Sequence, residues 1–176
     1  MIGNIISEGS KLKHQFIIDY ITPITFGIET VGGLIKPLTY RNTMVPSLKK
    51  MNFTTYKDDQ ESVLIRVYAG ERMISKYSSL IYELVLDGLQ KAPKGVPQIE
   101  ISFETDSECL VSLIVKEYSS GKKRIIKLDN CNFGFTEEQL ENIIQEAEIK
   151  AEEDQKEIEK IKQRFDLIDD NLLKEK

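Results

Sequence analysis

The stretch Ile99-Glu100-Ile101-Ser102-Phe103-Glu104 decides the fold class of this chain. Apolar and polar residues alternate along it with a period of two, so one row of side chains faces a core and the other faces solvent. The segment 63–68, with the sequence Val-Leu-Ile-Arg-Val-Tyr, is β-branched and apolar on one face. Both stretches predict strands of an antiparallel sheet.

Three more strands are predicted on either side of this stretch, at 82–86, 110–115 and 124–128. Turn-forming residues separate the strands, and Ser119-Ser120-Gly121-Lys122 predicts a hairpin between the last two. Short strands with frequent turns and no intervening helical period are typical of a sandwich or barrel. The predicted fold class is therefore mainly β, with an antiparallel β-sandwich, and a parallel nucleotide-binding sheet is disfavoured.

The pattern changes from strand to helix at Thr136. Thr136-Glu137-Glu138-Gln139 is a capping box, which marks a helix start. Apolar residues then follow one helix face up to Ala151, give way to charges at 152–157, and resume in an apolar stripe. This stripe consists of Ile158, Ile161, Phe165, Ile168 and Leu172. The sequence predicts two helical stretches, and it favours a charged tail, including this gap, that is a solvated amphipathic helix rather than a charge-specific binding site.

Composition divides the chain at the same point. The 176 residues carry 29 acidic and 24 basic side chains, a net charge of −5. Residues 136–176 hold 14 of the acidic and 7 of the basic side chains, whereas all 10 glycines and all 5 prolines come earlier. The −5 is therefore the sum of a nearly neutral, turn-rich body and an acidic helical part.

Several classes of function are excluded or disfavoured by the same composition. No apolar run reaches the roughly 18 residues of a membrane helix, and the first residues lack the pattern of a signal peptide. A net-acidic chain is a poor ligand for nucleic acid, which needs a basic patch. Cys109 and Cys131 have no metal-ligand spacing, so we expect free thiols in a reducing compartment.

No catalytic set is recognisable in the sequence. A P-loop, a nucleophile elbow and a zinc-protease motif are all missing, and His14 is the single histidine. The adjacent carboxylates Asp58 and Asp59 fall in a predicted turn, where Asx hydrogen bonding is their ordinary role. An enzyme is therefore disfavoured, and no metal site or cofactor is expected in this chain.

Two loop segments remain open to two interpretations. Gly27-Ile28-Glu29-Thr30-Val31-Gly32-Gly33 ends in two adjacent glycines, which suit a backbone that needs freedom or close approach. Phe53-Thr54-Thr55-Tyr56 precedes a charged turn and the strand at 63–68. On physics alone both are edge elements of a sandwich; they could equally border a groove that accepts an extended peptide.

A family resemblance favours the groove. The chain resembles the substrate-binding domain of the seventy-kilodalton heat-shock chaperone family, in motifs that occur in the family's order and spacing from about residue 5 to 156. The motifs are the segment 22–33 (TPITFGIETVGG), 41–46 (RNTMVP), 53–56 (FTTY), 67–72 (VYAGER) and 92–100 (APKGVPQIE). The resemblance implies three parts: residues 1–19 as the end of a preceding domain and a linker, 20–134 as a peptide-binding β-sandwich, and 135–176 as a truncated helical lid.

Site residues are implied by the same resemblance, position by position. Val63 matches the floor of a hydrophobic pocket, Val31 and Tyr56 the two residues that arch over a bound peptide, and Asp58 with Lys94 a latch for the lid. The pocket walls or support are Phe26, Ile28, Phe53, Ile65 and Ile99; the main-chain contacts are Thr30, Thr54 and Gln60; the interdomain linker is Phe16, Ile17 and Ile18. Four positions depart from the family: Tyr20 stands where an acidic residue is usual, Val31 is small for an arch residue, Lys94 replaces the usual arginine, and Cys109 replaces a turn glycine.

The function implied is that of a stress-response chaperone module that holds short, extended, hydrophobic segments of unfolded client proteins. ATP and magnesium belong to the family's ATPase domain, which this sequence lacks, so we expect no catalysis here. The implied partners are client peptides, the nucleotide-binding domain of the same family and J-domain co-chaperones, in the cytoplasm. We expect an excised piece of a longer protein. The alternative is a non-catalytic scaffold that self-associates through the apolar stripe.

Overall fold

The computed structural model describes residues 20–165 and 171–174. Within these residues the elements are the strands β1 (Phe26–Glu29), β2 (Ile35–Thr39), β3 (Ser47–Thr55), β4 (Ser62–Ala69), β5 (Ser79–Asp87), β6 (Ile99–Thr105), β7 (Leu110–Glu117) and β8 (Lys123–Asn130), then the helix α1 (Glu137–Phe165) and the short strand β9 (Leu172–Leu173). All five strands predicted from the sequence are present.

The strands form two sheets. One has the order β2-β1-β4-β5 and the other the order β8-β7-β6-β3-β9. Every pairing between consecutive neighbours is antiparallel except that of β9, which runs parallel to β3. The predicted fold class, a mainly β antiparallel sandwich followed by a helix, is confirmed.

The core lies between the two sheets, where the inward rows of side chains meet. Phe26 of one sheet contacts Phe103 of the other edge to face, with ring centroids 5.0 Å apart. In β7 buried residues alternate with exposed or half-buried ones, as the period of two requires. Two residues of α1, Leu140 and Ile143, pack against the same core, which fixes the start of the helix on the sandwich.

The hairpin predicted at 119–122 joins β7 to β8 and is held by a buried carboxylate. Glu117 accepts hydrogen bonds from the hydroxyl groups and main-chain amides of both Ser119 and Ser120. Burial opposes ionisation of Glu117, but these bonds outweigh it and lower the pKa of the carboxyl to about 2. The carboxylate therefore keeps its charge, and the turn its shape, well into the acid range.

The helix begins as predicted but does not break. The Thr136 amide donates to Gln139 Oε1 at 2.9 Å, and the Gln139 amide donates to Thr136 Oγ1 at 3.2 Å, which is the reciprocal capping box. The prediction of two helical stretches is wrong, because α1 runs unbroken through the charged gap at 152–157. Glutamate, lysine, glutamine and alanine are good helix formers, so losing the apolar face there does not end the helix.

The predicted linker residues Phe16, Ile17 and Ile18 lie outside the described residues. The three-part division at 19/20 and 134/135 stays a prediction as a statement about domains; in the structure β8 ends at Asn130 and α1 begins at Glu137. Both cysteines are free thiols. Although α1 is long, neither it nor another helix within 20–165 and 171–174 is apolar enough to cross a membrane.

Candidate peptide-binding groove

A groove opens where β3 and β4 each have part of one side that no neighbouring strand of the sandwich covers. Strand β1 pairs with β4 only at 67–69, so the first half of β4 has no β1 residue beside it. Strand β3 pairs with β6 as far as Phe53, and its last two residues continue beyond that ladder. An extended segment of the same chain, residues 171–174 (Asn-Leu-Leu-Lys), lies between these two free strand ends, and we call it the inserted segment.

The inserted segment is held by main-chain hydrogen bonds on both sides. The amide of Thr54 donates to the Asn171 carbonyl at 3.0 Å, and the amide of Tyr56 donates to the Leu173 carbonyl at 3.2 Å. Across the groove, the amide of Leu64 donates to the Lys174 carbonyl at 3.0 Å. These contacts read the backbone of the segment and not its side chains, so the same donors suit many sequences.

One side chain of the inserted segment is fully buried. Leu173 has 0% exposure and belongs to the same apolar cluster as the floor and wall residues named from the sequence. Those residues are Phe26, Ile28, Phe53, Val63, Ile65 and Ile99, all of them buried. Burying one leucine is worth about 1.5–3 kcal/mol, which is a large share of the affinity of a short peptide.

Gln60 connects the groove wall to the inserted segment. Its Oε1 accepts the amides of Tyr56 and Lys57, and its Nε2 donates to the Ser62 carbonyl at 2.7 Å and the Leu173 carbonyl at 3.3 Å. The Gln60 side chain is buried, and its hydrogen bond to the Leu173 carbonyl is buried as well. It therefore shapes the turn between β3 and β4 and at the same time contacts the occupant.

The two predicted arch residues lie on one cavity. Val31 and Tyr56 both line a space of about 710 Å³ between the sandwich and the end of α1, which Lys174 also borders. Thr30 is placed differently from Thr54 and Gln60: its amide and hydroxyl both donate to the Leu34 carbonyl, which closes the 3-10 turn at Val31–Gly33. Its role in contacting a peptide stays a prediction.

A buried carboxylate lies beside the exit of the groove. Glu29 is almost fully buried, and its Oε1 is 3.2 Å from Lys174 Nζ. Its other oxygen is 3.4 Å from Arg66 Nη1. A buried charge needs such partners to remain in place, so Glu29 favours a basic residue directly after the buried leucine.

Charged side chains also attach helix α1 to the sandwich. Arg72 donates two hydrogen bonds to Asp154, at 2.8 and 2.6 Å, and a third to Glu146 at 2.7 Å. Its guanidinium also stacks on the ring of Tyr77, 3.6 Å from the centroid. Arg72 and Asp154 are only 8% and 7% exposed, and the hydrogen bonds that Arg72 donates to Asp154 raise the pKa of Arg72 above its usual value. We call Arg72, Glu146 and Asp154 the helix clasp.

A second ion pair follows one turn further along the helix. Lys76 Nζ lies 2.6 Å from Glu157 Oε1, and the Tyr77 hydroxyl donates to Glu157 at 3.2 Å. The hydrogen bond from Lys76 holds the pKa of Glu157 below its usual range. The prediction that the charged gap is simply exposed to solvent is therefore wrong for Asp154 and Glu157, which dock the helix.

The apolar stripe faces the sandwich and not solvent. Its described members Ile158, Ile161, Phe165 and Leu172 are all half-buried. A Cβ added to Gly32 would lie 2.6 Å from Ile161 Cγ2 and 3.2 Å from Phe165 Cδ2, so the helix end rests directly on that glycine. The expectation that the stripe is exposed is wrong for these four residues, whereas self-association stays a prediction.

The predicted latch residues contact each other. The main-chain amide of Lys94 donates to Asp58 Oδ1 at 2.8 Å, and the neighbouring Asp59 amide donates to the Ala92 carbonyl at 2.9 Å. These bonds join the turn after β3 to the loop before β6, below the groove. A latch between this pair and the helix stays a prediction.

The contact residues that sequence reasoning missed include Glu29, Leu64, Arg72, Asp154 and Leu173. Three of them stood inside stretches already singled out, namely Glu29 in the glycine-containing loop, Leu64 in the strand at 63–68 and Arg72 in the motif at 67–72. Asp154 and Leu173 carried no local signal, because one is a single acid among many and the other one leucine of a pair. Among the described residues there is no cluster of three or more His, Cys, Asp or Glu side chains placed to hold a metal ion.

Comparison with known proteins shows which family this chain resembles. The family model described as "Hsp70 protein" matches residues 1–172. The chain is 38% identical over 158 residues to "Chaperone protein DnaK" from Anaplasma marginale (strain St. Maries), covering 88% of this chain and 24% of that protein. It is 37% identical over 152 residues to "Heat shock 70 kDa protein" from Penicillium citrinum, covering 86% of this chain and 30% of that protein. The chain thus spans less than a third of the length of these relatives.

Proposed function

The chain belongs to the Hsp70 family, and from that premise we propose that it is a peptide-binding module of a chaperone, which holds short, extended, hydrophobic segments of unfolded proteins. The observation that carries the proposal is the inserted segment. An extended stretch of four residues is bonded through its main chain on both sides, with one leucine fully buried between the sheets. A client peptide would use the same donors and the same pocket.

The chemistry of the groove suits a tolerant binder. Three main-chain amides and the Gln60 side chain grip an occupant whatever its sequence, while a single pocket selects for one apolar side chain. Glu29 adds a preference for a basic residue next to that side chain. No acid–base or nucleophilic step is needed for this function, and we assign none to these residues.

The proposal includes further parts that come from the family resemblance. Helix α1 covers the groove as a lid; an ATPase domain that uses ATP and magnesium acts with this module; J-domain co-chaperones are partners; and the module works in the cytoplasm under stress. The position of the helix end over Gly32, next to the groove, supports the first of these.

The first test fills the pocket. Val63 is fully buried on β4, so Val63→Phe places a ring where the leucine of a peptide would lie. We expect loss of binding of a fluorescein-labelled, leucine-centred heptapeptide, measured by fluorescence anisotropy, with the melting temperature recorded to show that the variant folds. Undiminished affinity in a folded variant would contradict the pocket assignment.

A second variant avoids the core. Gln60→Ala removes a main-chain contact to the occupant, and losing one such hydrogen bond weakens binding about threefold to tenfold. Gln98→Ala is the matched control, because the exposed Gln98 amide bonds only to the carbonyls of Gly95 and Val96 in its own loop. If the two variants bind the heptapeptide equally well, Gln60 has no role in peptide binding.

A further inference from the structure

The inserted segment uses the main-chain donors and the buried position that a client peptide would need. Thr54, Tyr56 and Leu64 each have one main-chain amide, and all three already donate to residues 171–174. The buried position between the sheets is filled by Leu173. A client peptide and the inserted segment therefore cannot be bound at the same time.

We propose that the inserted segment is an internal competitor of client peptides, so that this chain occupies its own groove until a client displaces residues 171–174. This inference rests on the proposed function, because it names what regulates access to the same groove. It adds a property that peptide binding alone does not require, namely that the groove is filled before any client arrives.

The bonding of the segment suits a competitor that can be displaced. Its strand β9 is two residues long, and it pairs with β3 at only two positions, Thr54 with Leu172 and Thr55 with Leu173. A single leucine provides the buried apolar surface, and the ion pair between Lys174 and Glu29 is partly exposed on the lysine side. Such a contact is weak between separate molecules.

Covalent attachment makes the weak contact effective. Residues 166–170 alone separate the segment from the end of α1 at Phe165, and α1 is clasped to the sandwich by Arg72. A short tether of this kind gives an effective concentration on the order of millimolar. If the free groove is then a minor species of about one part in ten or less, the apparent affinity for a client falls by about tenfold or more.

The experiment compares two neighbouring leucines in the full chain. Leu173→Ser removes the buried side chain, and Leu172→Ser removes an identical one that is only half-buried. With the labelled leucine-centred heptapeptide, we expect Leu173→Ser to bind about tenfold tighter than the unmodified chain. Leu172→Ser is expected to change the affinity by less than about threefold, since its side chain contributes less apolar burial.

A readout without client keeps the two proposals separate. Hydrogen exchange of the Thr54 and Leu64 amides, followed by NMR in the absence of peptide, should be slow in the unmodified chain and fast in Leu173→Ser. Equal exchange and equal peptide affinity in both proteins would overturn self-occupancy and leave peptide binding intact. Slow exchange that Leu173→Ser abolishes, with no peptide bound by either protein, would instead overturn the proposed function and with it the competitor role.

The same measurement distinguishes the chain's own segment from that of a second copy. Occupancy within one molecule does not depend on concentration, so amide protection should be unchanged over a hundredfold dilution with a monomeric sedimentation coefficient. Protection that disappears on dilution would assign the segment in the groove to another copy and overturn an internal competitor.

Discussion

The helix and the inserted segment bind the same sandwich by opposite means. Helix α1 is held by side-chain charges, with Arg72 clasping Asp154 and Glu146 and Lys76 pairing with Glu157. The inserted segment is held by main-chain hydrogen bonds and one buried leucine. Both lie in the acidic part of the chain at 136–176, so this part contacts the sandwich in two different ways.

The charged contacts fix the position of the helix, whereas the main-chain contacts tolerate different sequences in the groove. A buried arginine with two hydrogen bonds to one carboxylate fixes which helix residue lies where, because a shifted helix would leave both charges unpaired. Main-chain bonds with a single apolar pocket accept any extended segment that presents a suitable side chain. The charged contacts therefore fit the helix to one place, whereas the contacts in the groove would suit different extended occupants.

The largest expected effect comes from breaking the helix clasp. Arg72→Ala leaves Asp154 buried without its partner, and removing one member of a buried pair costs about 3–5 kcal/mol. We expect α1 to detach from the sandwich around residue 154, with fast hydrogen exchange of its amides there, while the amides of the β6–β7 ladder stay protected. Unchanged exchange in α1 would mean that the charges do not hold the helix.

Two further variants calibrate that result. Arg41→Ala removes another arginine, whose contact with Glu71 at 3.9 Å is longer and more exposed, and pairs of that kind contribute about 0–1 kcal/mol. The double variant Arg72→Met with Asp154→Leu replaces the buried pair by apolar side chains and should restore docking of the helix.

An intermediate effect is expected where the helix end touches the loop. Gly32→Ala places a Cβ 2.6 Å from Ile161 Cγ2, at a residue whose φ of +87° suits glycine. We expect a loss of about 1–3 kcal/mol in docking of the helix end, since the substitution adds a clash to the backbone strain. Exchange should rise at residues 158–165 and stay slow near Asp154.

The matched control for this variant is Gly95→Ala. Gly95 has a similar φ of +81°, but nothing lies within 4 Å of an added Cβ. The loss of stability in Gly95→Ala measures the cost of backbone strain alone. Any larger loss in Gly32→Ala measures the clash with the helix. Equal losses of stability in the two variants would show that the helix end does not press on the loop.

The smallest expected effect is a pH dependence of the helix end. The hydrogen bond from Lys76 lowers the pKa of Glu157 in the folded state, so this pair contributes stability above the ordinary glutamate pKa and loses it as the pH falls through the lowered value. Acidification should therefore loosen residues near 157. An NMR titration of the Glu157 carboxyl should show the low pKa, and Lys76→Met should return it toward its ordinary value.

The parts of the fold that could be predicted are those in which a period repeats. The sequence of β6 alternates between apolar and polar residues over 99–104, and the capping box at Thr136 is a local pattern, so both could be recognised. Strand β1 could not be read by period, because all four of its residues are buried. Strand β3 is mostly polar along its first half and takes its place from pairing with β6.

The parts of the site that could not be predicted depend on distant partners. Arg72 and Asp154 are 82 positions apart, and nothing in the local sequence separates this buried aspartate from the exposed acids around it. Leu172 continues the spacing of the helical stripe, yet it forms a strand with Leu173. Main-chain amides of β3 and β4 donate to the carbonyls of this extended segment. In both cases the local structure depends on contacts with residues distant in the sequence, and not on the intrinsic preference of the residue for a helix or a strand.

The pairing of β9 with β3 also bears on solubility. An uncovered strand at the border of a sheet is a template on which other chains can stack and aggregate. The second sheet protects its two borders differently: β8 carries the charged residues Lys123, Arg124 and Lys127, whereas the end of β3 is paired with residues 172 and 173. By pairing the end of β3 with its own backbone, the molecule covers part of a border on which further copies could otherwise stack.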